Sequence, residues 1–309
     1  MVKLQKPEFA FMNGKLIKWD DAVLHVGCEA VNRGLNVFEG IKGYWQRDGR
    51  FGIVELKQHY NRLLRSAKLL HIPWSLSYEE YKSSIFQLIG ALANRDKDMW
   101  CRTTLFVVEG HWGVNTKADL AITAFHQDKE LPKPIEIGIS TWQRSSDASL
   151  PARIKTSTNY QVGRLARIEG RSKNYNDMIL LNQWGRVAEA TTSCILVVRD
   201  GVIYTPPATE GALEGITINV AEKLAKNLGI SFIRRPIDRT EALIADEIAI
   251  CGTLAEFVPV KSIEGNKLNP NGPILSLLRK NFFETVRGEY HSSDIKFDFI
   301  PDHLITNRN

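Results

Sequence analysis

One segment near the middle of the chain limits the possible folds most strongly. Residues 127–134 read Gln-Asp-Lys-Glu-Leu-Pro-Lys-Pro, so this stretch is polar, charged and twice interrupted by proline. Proline lacks a backbone N–H and disrupts helices and central strands, which makes this segment the best candidate for a linker. A chain of 309 residues suits two medium-sized domains. We therefore predict a small domain over 1–128, an interdomain linker over 129–134 and a larger domain over 135–309.

Before the linker, the chain mixes strand and helix patterns. Asn13-Gly14 separates two short runs that contain apolar residues, and this dipeptide is typical of a β-hairpin turn. The spacing of apolar residues further along predicts helices over 56–71 and 78–92, and runs of β-formers predict strands over 103–108 and 120–125. This order predicts an α+β domain.

After the linker, strand patterns dominate. Strands are predicted over 177–181, 193–199 and 202–205, and helical spacing returns in 216–228 and 275–286. The chain is therefore predicted to be an α/β protein, with an α+β small domain and a larger, mixed, β-rich domain.

Composition excludes several classes of protein. Hydrophobic residues make up 43% and charged residues 24%, ordinary values for a globular chain. The net charge of +5 is spread along the sequence, which argues against nucleic acid, and no run approaches the roughly 18 apolar residues that a spanning helix needs. The four cysteines lie far apart with no C-x-x-C pair, which predicts neither a metal site nor disulfides. The N-terminal segment, residues 1–8, has no apolar core of a signal peptide. We expect a soluble, unprocessed, cytoplasmic protein with no metal, nucleic-acid or membrane partner.

Signatures of other enzyme classes are missing, and four polar groups remain. The sequence has no G-x-G-x-x-G, G-x-x-x-x-G-K-[ST], H-E-x-x-H or G-x-S-x-G motif. Gly215-Ile216-Thr217 opens a predicted helix whose free N–H groups, with the Thr217 hydroxyl, can hold a phosphate. Gly252-Thr253 ends a strand where the backbone can approach a ligand. Lys155 is flanked by small hydroxyl residues and could act as an amine nucleophile. Glu189 stands in a small, apolar stretch and would need a cationic partner if buried.

Each of these groups also has an ordinary structural explanation. Thr217 could simply sit in a first helical turn, and Gly252-Thr253 could be a plain strand-to-loop turn. Lys155 could be a solvated surface residue and Glu189 a surface carboxylate at a strand start. Taken alone, none of the four indicates a function.

The order and spacing of these groups resemble a known family. The run Asn-Val-Phe-Glu-Gly-Ile-Lys at 36–42, Lys155 with Asn159-Tyr160, Glu189, and the segments 212–217 and 252–256 follow one another as in the fold-type IV pyridoxal phosphate enzymes. Within them the chain is most similar to the branched-chain amino acid aminotransferases. The resemblance implies a D-amino acid aminotransferase-like architecture. It also implies a ping-pong transfer of an amino group between a branched-chain or other apolar L-amino acid and a 2-oxo acid such as 2-oxoglutarate.

The resemblance also assigns roles to single residues. Lys155 would be the catalytic residue, linked to pyridoxal 5'-phosphate and later moving a proton. The other cofactor contacts would be Arg62, Ile216, Thr217 and Thr253 at the phosphate, Glu189 at the ring nitrogen, Tyr160 at the phenolic oxygen and Leu213 on one face of the ring. The substrate contacts would be Phe38 and Trp100 as an apolar lining, Arg102 as the cation for a glutamate side chain, and backbone N–H groups at Leu254 and Ala255.

Departures from the family pattern leave the preferred amino acid open. Lys42 stands where the branched-chain enzymes usually have arginine, and Trp100 stands where they usually have tyrosine. Thr191-Thr192-Ser193-Cys194 replaces their usual Gly-x-x-Asn. Alternatives on the same fold are a D-amino acid or (R)-amine transaminase and an aminodeoxychorismate lyase, although Glu39-Gly40 favours the branched-chain group.

Two further expectations concern assembly and activity. Members of the family are homodimers or higher assemblies that exchange a loop, and residues 110–114 match that loop, so we expect a homodimer or a higher homo-oligomer. A catalytically silent relative kept for binding is an alternative of a different class. The presence of Lys155, Tyr160 and Glu189 argues against it.

Overall fold

The structure, a computed structural model, describes residues 5–306. Residues 1–4 and 307–309 lie outside the described residues. They include the outer ends of both predicted domains and part of the N-terminal segment that we expect to lack a signal peptide. The chain divides into two compact units. Unit 1 comprises residues 1–130, 154–158 and 286–309, and unit 2 comprises 131–153 and 159–285.

The regular elements follow one another in this order. The strands are β1 (Phe9–Met12), β2 (Lys15–Lys18), β3 (Asn36–Trp45), β4 (Phe51–Val54), β5 (Asp98–His111), β6 (Val114–Gln127), β7 (Ile135–Gln143), β8 (Asp177–Leu181), β9 (Val187–Ala190), β10 (Cys194–Arg199), β11 (Val202–Thr205), β12 (Phe232–Arg234), β13 (Glu247–Gly252), β14 (Glu256–Ile263), β15 (Asn266–Lys267) and β16 (Phe297–Phe299). The α-helices are α1 (Glu29–Asn32), α2 (Leu56–Leu69), α3 (Tyr78–Leu92), α4 (Tyr160–Ser172), α5 (Ile216–Asn227), α6 (Arg239–Leu243) and α7 (Pro273–Val286). Short 3-10 helices cover Trp19–Asp21, Ser157–Asn159, Ala208–Glu210 and Asp302–Leu304.

Unit 1 contains an antiparallel sheet in the order β16-β4-β3-β5-β6-β1-β2. The predicted hairpin is present, since Met12 pairs with Lys15 across Asn13 and Gly14, which both have positive φ. Helices α2 and α3 begin and end close to their predicted limits. A capping box at Ser77 and Glu80 starts α3. The core of the unit includes the fully buried side chains Leu56 and Leu63 of α2 and Tyr81, Ile85, Leu88 and Ile89 of α3.

Unit 2 contains a mixed sheet in the order β12-β11-β10-β13-β14-β7-β8-β9, with β15 paired to β14. Strands β7 and β8 are parallel, and α4 connects them. The parallel pairing explains the connection, because parallel strands need a crossover rather than a tight turn. Apolar residues of these strands form the core, among them Ile137, Ile179, Val197 and Ile250. The predicted mixed, β-rich character of this part of the chain is present.

Three features differ from the expectations. Strands β5 and β6 are longer than predicted and meet at the turn Trp112-Gly113, so residues 110–114 form the tip of a hairpin. Segment 286–309 is part of the larger domain in the sequence prediction, but β16 pairs with β4 and therefore completes the sheet of unit 1. Segment 154–158 also belongs to unit 1. The predicted domain boundaries stay a prediction, and the compact units differ from them in these two segments.

No helix in residues 5–306 has the length and apolar character needed to cross a membrane. Over the same residues, no cluster of histidine, cysteine, aspartate and glutamate side chains could hold a metal ion. The four cysteines are all buried and form no disulfide.

The packing of α3 generates a prediction for stability. A Cβ atom at Gly90 would lie against the carbonyl oxygen of Leu304, closer than real Cβ contacts come. Alanine would gain about 1 kcal/mol in helix propensity, but overpacking against rigid backbone costs about 1 to 3 kcal/mol. The Leu304 carbonyl belongs to the backbone and cannot move aside cheaply, so we expect Gly90→Ala to carry a cost at the upper end of this range and a net loss of up to about 2 kcal/mol in the free energy of unfolding, measured by urea denaturation. Gln87→Ala, at an exposed position of the same helix, serves as the control. An unfolding midpoint equal to that of the unchanged protein would contradict the close packing.

Candidate active site

Lys155 is held at its backbone by two different elements of unit 1. Its N–H donates to the Ser66 hydroxyl of α2 at 3.1 Å, and its carbonyl accepts from the Phe38 N–H of β3 at 2.9 Å. The Lys155 ammonium nitrogen lies 4.9 Å from the centre of the Phe38 ring. The side chain is half-buried. Lys155 therefore has a fixed backbone and a side chain directed along one face of β3.

That face of β3 carries the predicted substrate residues. The strand register sets Phe38 opposite Thr104, Gly40 opposite Arg102, and Lys42 opposite Trp100. Side chains alternate between the two faces of a strand, so these residues share a face, whereas Val37 and Ile41 point into the core with α2 and α3. The structure therefore brings Phe38, Trp100 and Arg102 together on one surface, with Lys155 beside Phe38.

Contacts on this face fix the direction of Arg102. Its guanidinium stacks 3.8 Å from the centre of the Phe38 ring. Its Nη2 donates to the Ser157 hydroxyl at 3.1 Å, and its Nε donates to the Thr104 hydroxyl at 3.3 Å. The acceptors are neutral hydroxyl groups, so these two hydrogen bonds orient the cation without neutralising its charge.

Trp100 depends on the glycine near it on β3. A Cβ atom at Gly40 would come within 3.1 Å of the indole nitrogen, so glycine makes room for the ring to lie across the strand. The indole also stacks on Phe125 of β6, with ring centres 5.8 Å apart. Lys42 extends the same face, and its ammonium lies 5.3 Å from the centre of the Tyr44 ring. The face thus combines large aromatic groups with two cations.

The opposite face of β3 holds a buried ionic cluster. Glu39 accepts from Arg62 of α2 twice, from Nε and from Nη2, both at 2.7 Å. His59 of α2 lies 2.7 Å from the same carboxylate through Nδ1. The family resemblance predicts that Arg62 binds a phosphate. The structure places two of its nitrogens on Glu39, so its guanidinium has a fixed direction.

The charges in this cluster follow from burial and pairing. Burial alone would raise the pKa of Glu39, but the charge and hydrogen bonds of Arg62, with the His59 contact, lower that pKa from 4.5 to about 2. Burial lowers the pKa of His59 despite the nearby carboxylate. His59 is therefore neutral at pH 7, and its Nδ1–H donates to Glu39.

In unit 2, the predicted ring-nitrogen ligand Glu189 lies at the centre of a second buried cluster. One oxygen of Glu189 accepts from the Leu213 N–H at 2.9 Å. The other oxygen lies 3.0 Å from Nη2 of Arg144. Arg144 also donates to the carbonyl of Asn159, the neighbour of Tyr160. The structure therefore brings together Glu189, Leu213 and the first turn of α4, where Tyr160 lies.

Arg144 was missed by the sequence analysis. The need of a buried Glu189 for a cationic partner is recognisable, but the partner lies 45 positions earlier in the chain, directly after β7, and shares no local pattern with it. No signal in a single sequence identifies such a pair. The proline-rich segment before β7 stands out by its composition, whereas Arg144, directly after β7, lies in no recognisable motif.

The predicted phosphate residues of unit 2 also lie together. Helix α5 starts at Ile216 after Gly215, which offers no side-chain cap to the helix N–H groups. Cys194 pairs with Cys251 across β10 and β13, so Ser193 lies beside Gly252, and a Cβ there would be 3.2 Å from the Ser193 hydroxyl. The packing of Gly215 against Cys194 brings the start of α5 to the same place.

This group fits a phosphate. The Ser193 hydroxyl is buried and has no hydrogen-bond partner among the described residues. A buried hydroxyl without a partner and an uncapped helix N-terminus are both donors suited to an anion. Thr253, Leu254 and Ala255 form the turn between β13 and β14, where the Leu254 side chain is exposed. In the sequence, Ser193 stands out only as a departure from the family pattern, so its place beside Gly252 is a finding of the structure.

The Glu39 cluster generates a prediction for stability and its pH dependence. Glu39→Gln leaves Arg62 buried without its anion, which we expect to lower the free energy of unfolding at pH 7 by about 3 to 5 kcal/mol. Because the folded-state pKa of Glu39 is lowered, its contribution is fully present above pH 4.5 and is lost as the pH falls towards 2. Denaturant titrations at pH 7 and pH 3 measure both effects.

Glu39 raises the pKa of His59, so the difference in unfolding free energy caused by Glu39→Gln is measured in chains that also carry His59→Gln, where this histidine no longer titrates. That difference should shrink at pH 3, and an equal difference at both pH values would count against the assignment. Glu79→Gln provides the control, because Glu79 pairs with Lys82 on the surface of the same unit and is largely exposed.

Comparisons with known proteins identify the family. The family model described as amino-transferase class IV matches residues 36–263. The branched-chain-amino-acid aminotransferase of Escherichia coli strain K12 is 32% identical over 296 residues, which cover 92% of this chain and 95% of that protein. A probable branched-chain-amino-acid aminotransferase of Aquifex aeolicus is 32% identical, with 94% of this chain and 96% of that protein covered.

Solved structures give the same result. A crystal structure of the Escherichia coli branched-chain amino acid aminotransferase superposes with a TM-score of 0.88 at 31% identity, covering 93% of this chain and 97% of that chain. The Thermobaculum terrenum enzyme in its PLP-form superposes with a TM-score of 0.85 at 32% identity, covering 93% and 96%. These matches confirm the predicted fold class and aminotransferase activity, and they do not favour the alternatives on the same fold. This chain belongs to the class IV aminotransferases and is similar, over nearly its whole length, to the branched-chain members of that family.

Proposed function

We propose that this chain transfers an amino group between a branched-chain or other apolar L-amino acid and a 2-oxo acid such as 2-oxoglutarate, in two half-reactions at one site. The observation that carries the proposal is the position of Lys155. Two backbone hydrogen bonds hold it beside a sheet face that combines Phe38, Trp100 and Arg102. An amine next to an apolar surface with one oriented cation suits substrates that differ only in their side chains.

The prediction of pyridoxal 5'-phosphate as the cofactor is confirmed by the family. A related structure from Thermobaculum terrenum is in the PLP-form, and a branched-chain amino acid aminotransferase from T.th. was solved with pyridoxamine 5'-phosphate. When bound, this cofactor supplies a ring that takes up electrons from the substrate carbon. We assign the cofactor phosphate to Arg62, Ile216, Thr217 and Thr253, and we add Ser193 to this group. We assign the ring nitrogen to Glu189, the phenolic oxygen to Tyr160 and one face of the ring to Leu213.

We assign Lys155 the movement of the proton in both half-reactions. Its nitrogen would take a proton from the α-carbon of the amino donor and deliver one to the corresponding carbon of the acceptor. The backbone is fixed at both its N–H and its carbonyl, while the end of the side chain lies over the Phe38 ring. Such an arrangement lets the amine swing while its origin stays in place.

The sheet face explains how one pocket can accept two kinds of substrate. Phe38 and Trp100 offer apolar surface to a leucine or valine side chain. Arg102, held in one direction by the hydroxyl groups of Thr104 and Ser157, offers its positive charge to the side-chain carboxylate of glutamate. The T.th. branched-chain amino acid aminotransferase was also solved with N-(5'-phosphopyridoxyl)-L-glutamate, which supports glutamate as one substrate. We assign the α-carboxylate shared by both substrates to the N–H groups of Leu254 and Ala255.

We also propose that the protein works as a homodimer or a higher homo-oligomer in the cytoplasm. The tip of the β5–β6 hairpin presents Trp112 and Val114, whose side chains are 76% and 64% exposed. Apolar groups this exposed at a hairpin tip suit a contact with a second copy of the chain. The four buried cysteines without disulfides suit a reducing compartment.

The role of Lys155 is tested by its removal. Lys155→Ala is expected to abolish turnover and to remove the absorption band of cofactor bound covalently to lysine, because no other lysine matches the family motif. Lys57→Ala is the matched control, since Lys57 also lies over an aromatic ring of unit 1, 4.1 Å from the centre of the Tyr78 ring. Normal turnover and an unchanged band in Lys155→Ala would overturn the assignment.

The role of Arg102 is tested by comparing substrates. Arg102→Ala is expected to lower the single-turnover rate with glutamate by about 10- to 100-fold, the size of a lost charge-assisted hydrogen-bonded contact, and to leave leucine and valine within about threefold. Arg50→Ala is the control, because Arg50 stacks on Phe299 of the same unit at 3.9 Å and lies away from this face. An equal loss with glutamate and leucine would mean that Arg102 supports the fold or the cofactor instead.

A further inference from the structure

Arg144 is a buried arginine that contacts three separate segments of unit 2. It follows directly after β7, and its side chain is only 6% exposed. Its Nη2 lies 3.0 Å from Glu189 of β9, its Nη1 donates to the Asn159 carbonyl at 2.8 Å, and its Nε donates to the Gly211 carbonyl at 3.2 Å. All three guanidinium nitrogens are therefore engaged, each by a different part of the chain.

Further contacts hold the backbone and the aliphatic stem of Arg144 in place. Its backbone N–H donates to the carbonyl of Leu181 at the end of β8. Gly211 has a positive φ and lies so close that a Cβ there would come within 3.2 Å of the Arg144 Cγ. Backbone and stem are thus both fixed, and the guanidinium has a single direction. A planar fork fixed in this way sets the positions of its acceptors.

The three acceptors are residues assigned to the cofactor or their close neighbours. Glu189 is the residue assigned to the ring nitrogen, Asn159 precedes Tyr160, and Gly211 lies two positions before Leu213. Leu213 in turn donates its N–H to the second oxygen of Glu189. The Glu189 carboxylate is therefore held by one donor at each oxygen, so its plane cannot rotate freely.

We propose that Arg144 is a positioning residue that fixes the Glu189 carboxylate in the orientation needed to hold the proton of the cofactor ring nitrogen. This inference rests on the proposed function. A carboxylate that can rotate loses part of its hydrogen bond to the nitrogen, whereas one held by a donor at each oxygen keeps it. Of its three acceptors, Glu189 is the one through which Arg144 would act on the ring nitrogen, and Arg144 itself would touch neither the substrate nor the cofactor.

The test is a double-mutant cycle in the holoenzyme. Arg144→Lys keeps the positive charge but cannot reach three acceptors, so it separates orientation from charge. The changes are Arg144→Lys, Glu189→Gln and the two together, each loaded with pyridoxal phosphate labelled with 15N at the ring nitrogen. The readouts are the 15N chemical shift at a fixed neutral pH and the rate of the first half-reaction.

We expect Arg144→Lys to move the 15N shift towards that of the unprotonated ring and to slow the half-reaction by about tenfold, the low end of what loss of a supporting partner costs at metal sites. In the Glu189→Gln protein, adding Arg144→Lys should change the rate by less than about twofold and leave the 15N shift where it is. The interaction between the two sites is then the evidence that Arg144 acts through Glu189.

The test has one control variant and two outcomes that would contradict the inference. Arg235→Lys changes an arginine that pairs with Glu241 in the same unit and should alter neither readout. An unchanged 15N shift in Arg144→Lys, or the same slowing with and without Glu189, would overturn the inference. Failure of the proposed function would look different, because the unchanged protein would then not bind labelled cofactor through Lys155 at all.

Discussion

The full burial of strand β3 is the constraint on which unit 1 depends. All ten of its residues, Asn36 to Trp45, are buried, so neither face can be left to solvent. One face meets α2 and α3 and contains the apolar core together with the Glu39 cluster. The other face carries Phe38 and Lys42 beside Arg102 and Trp100. Because alternate residues of a strand point in opposite directions, the same ten residues build the core and the candidate substrate surface.

Two buried arginines organise charge in comparable ways in the two units. Arg62 donates two hydrogen bonds to Glu39, and Arg144 contacts Glu189 and two backbone carbonyls. A buried ion pair adds little net stability, since desolvation offsets most of the attraction between the charges. Its effect on geometry is larger, because a planar guanidinium fixes the angle at which its acceptors are held. Both pairs are therefore better explained by orientation than by stability.

The sequence predicts local features well and non-local ones poorly. The Asn13-Gly14 turn and the helix starting at Tyr78 depend on neighbouring residues, and both are present as predicted. Strand β16 joins β4 from the far end of the chain, and Arg144 pairs with a glutamate on a distant strand, so neither contact leaves a local pattern. In the sequence, the segment that forms β3 stands out only through its family motif at 36–42 and not as a strand. With both faces buried, it lacks the polar-apolar alternation by which a strand is usually found.

The alternation of core residues and residues of the other face along β3 also has a consequence for the evolution and redesign of this protein. Odd-numbered positions such as Val37, Glu39 and Ile41 belong to the core, so most changes there would cost stability. Even-numbered positions 38, 40 and 42 lie on the other face, and a change at any of them leaves the contacts within the Glu39 cluster in place. On the proposed substrate assignment, new amino-acid preferences can therefore arise at positions 38 and 42 of a single strand while the Glu39 cluster stays in place, whereas a side chain at Gly40 would meet the Trp100 indole. Lys42, where the family resemblance leads us to expect arginine, lies on the face that such a strand leaves open to variation.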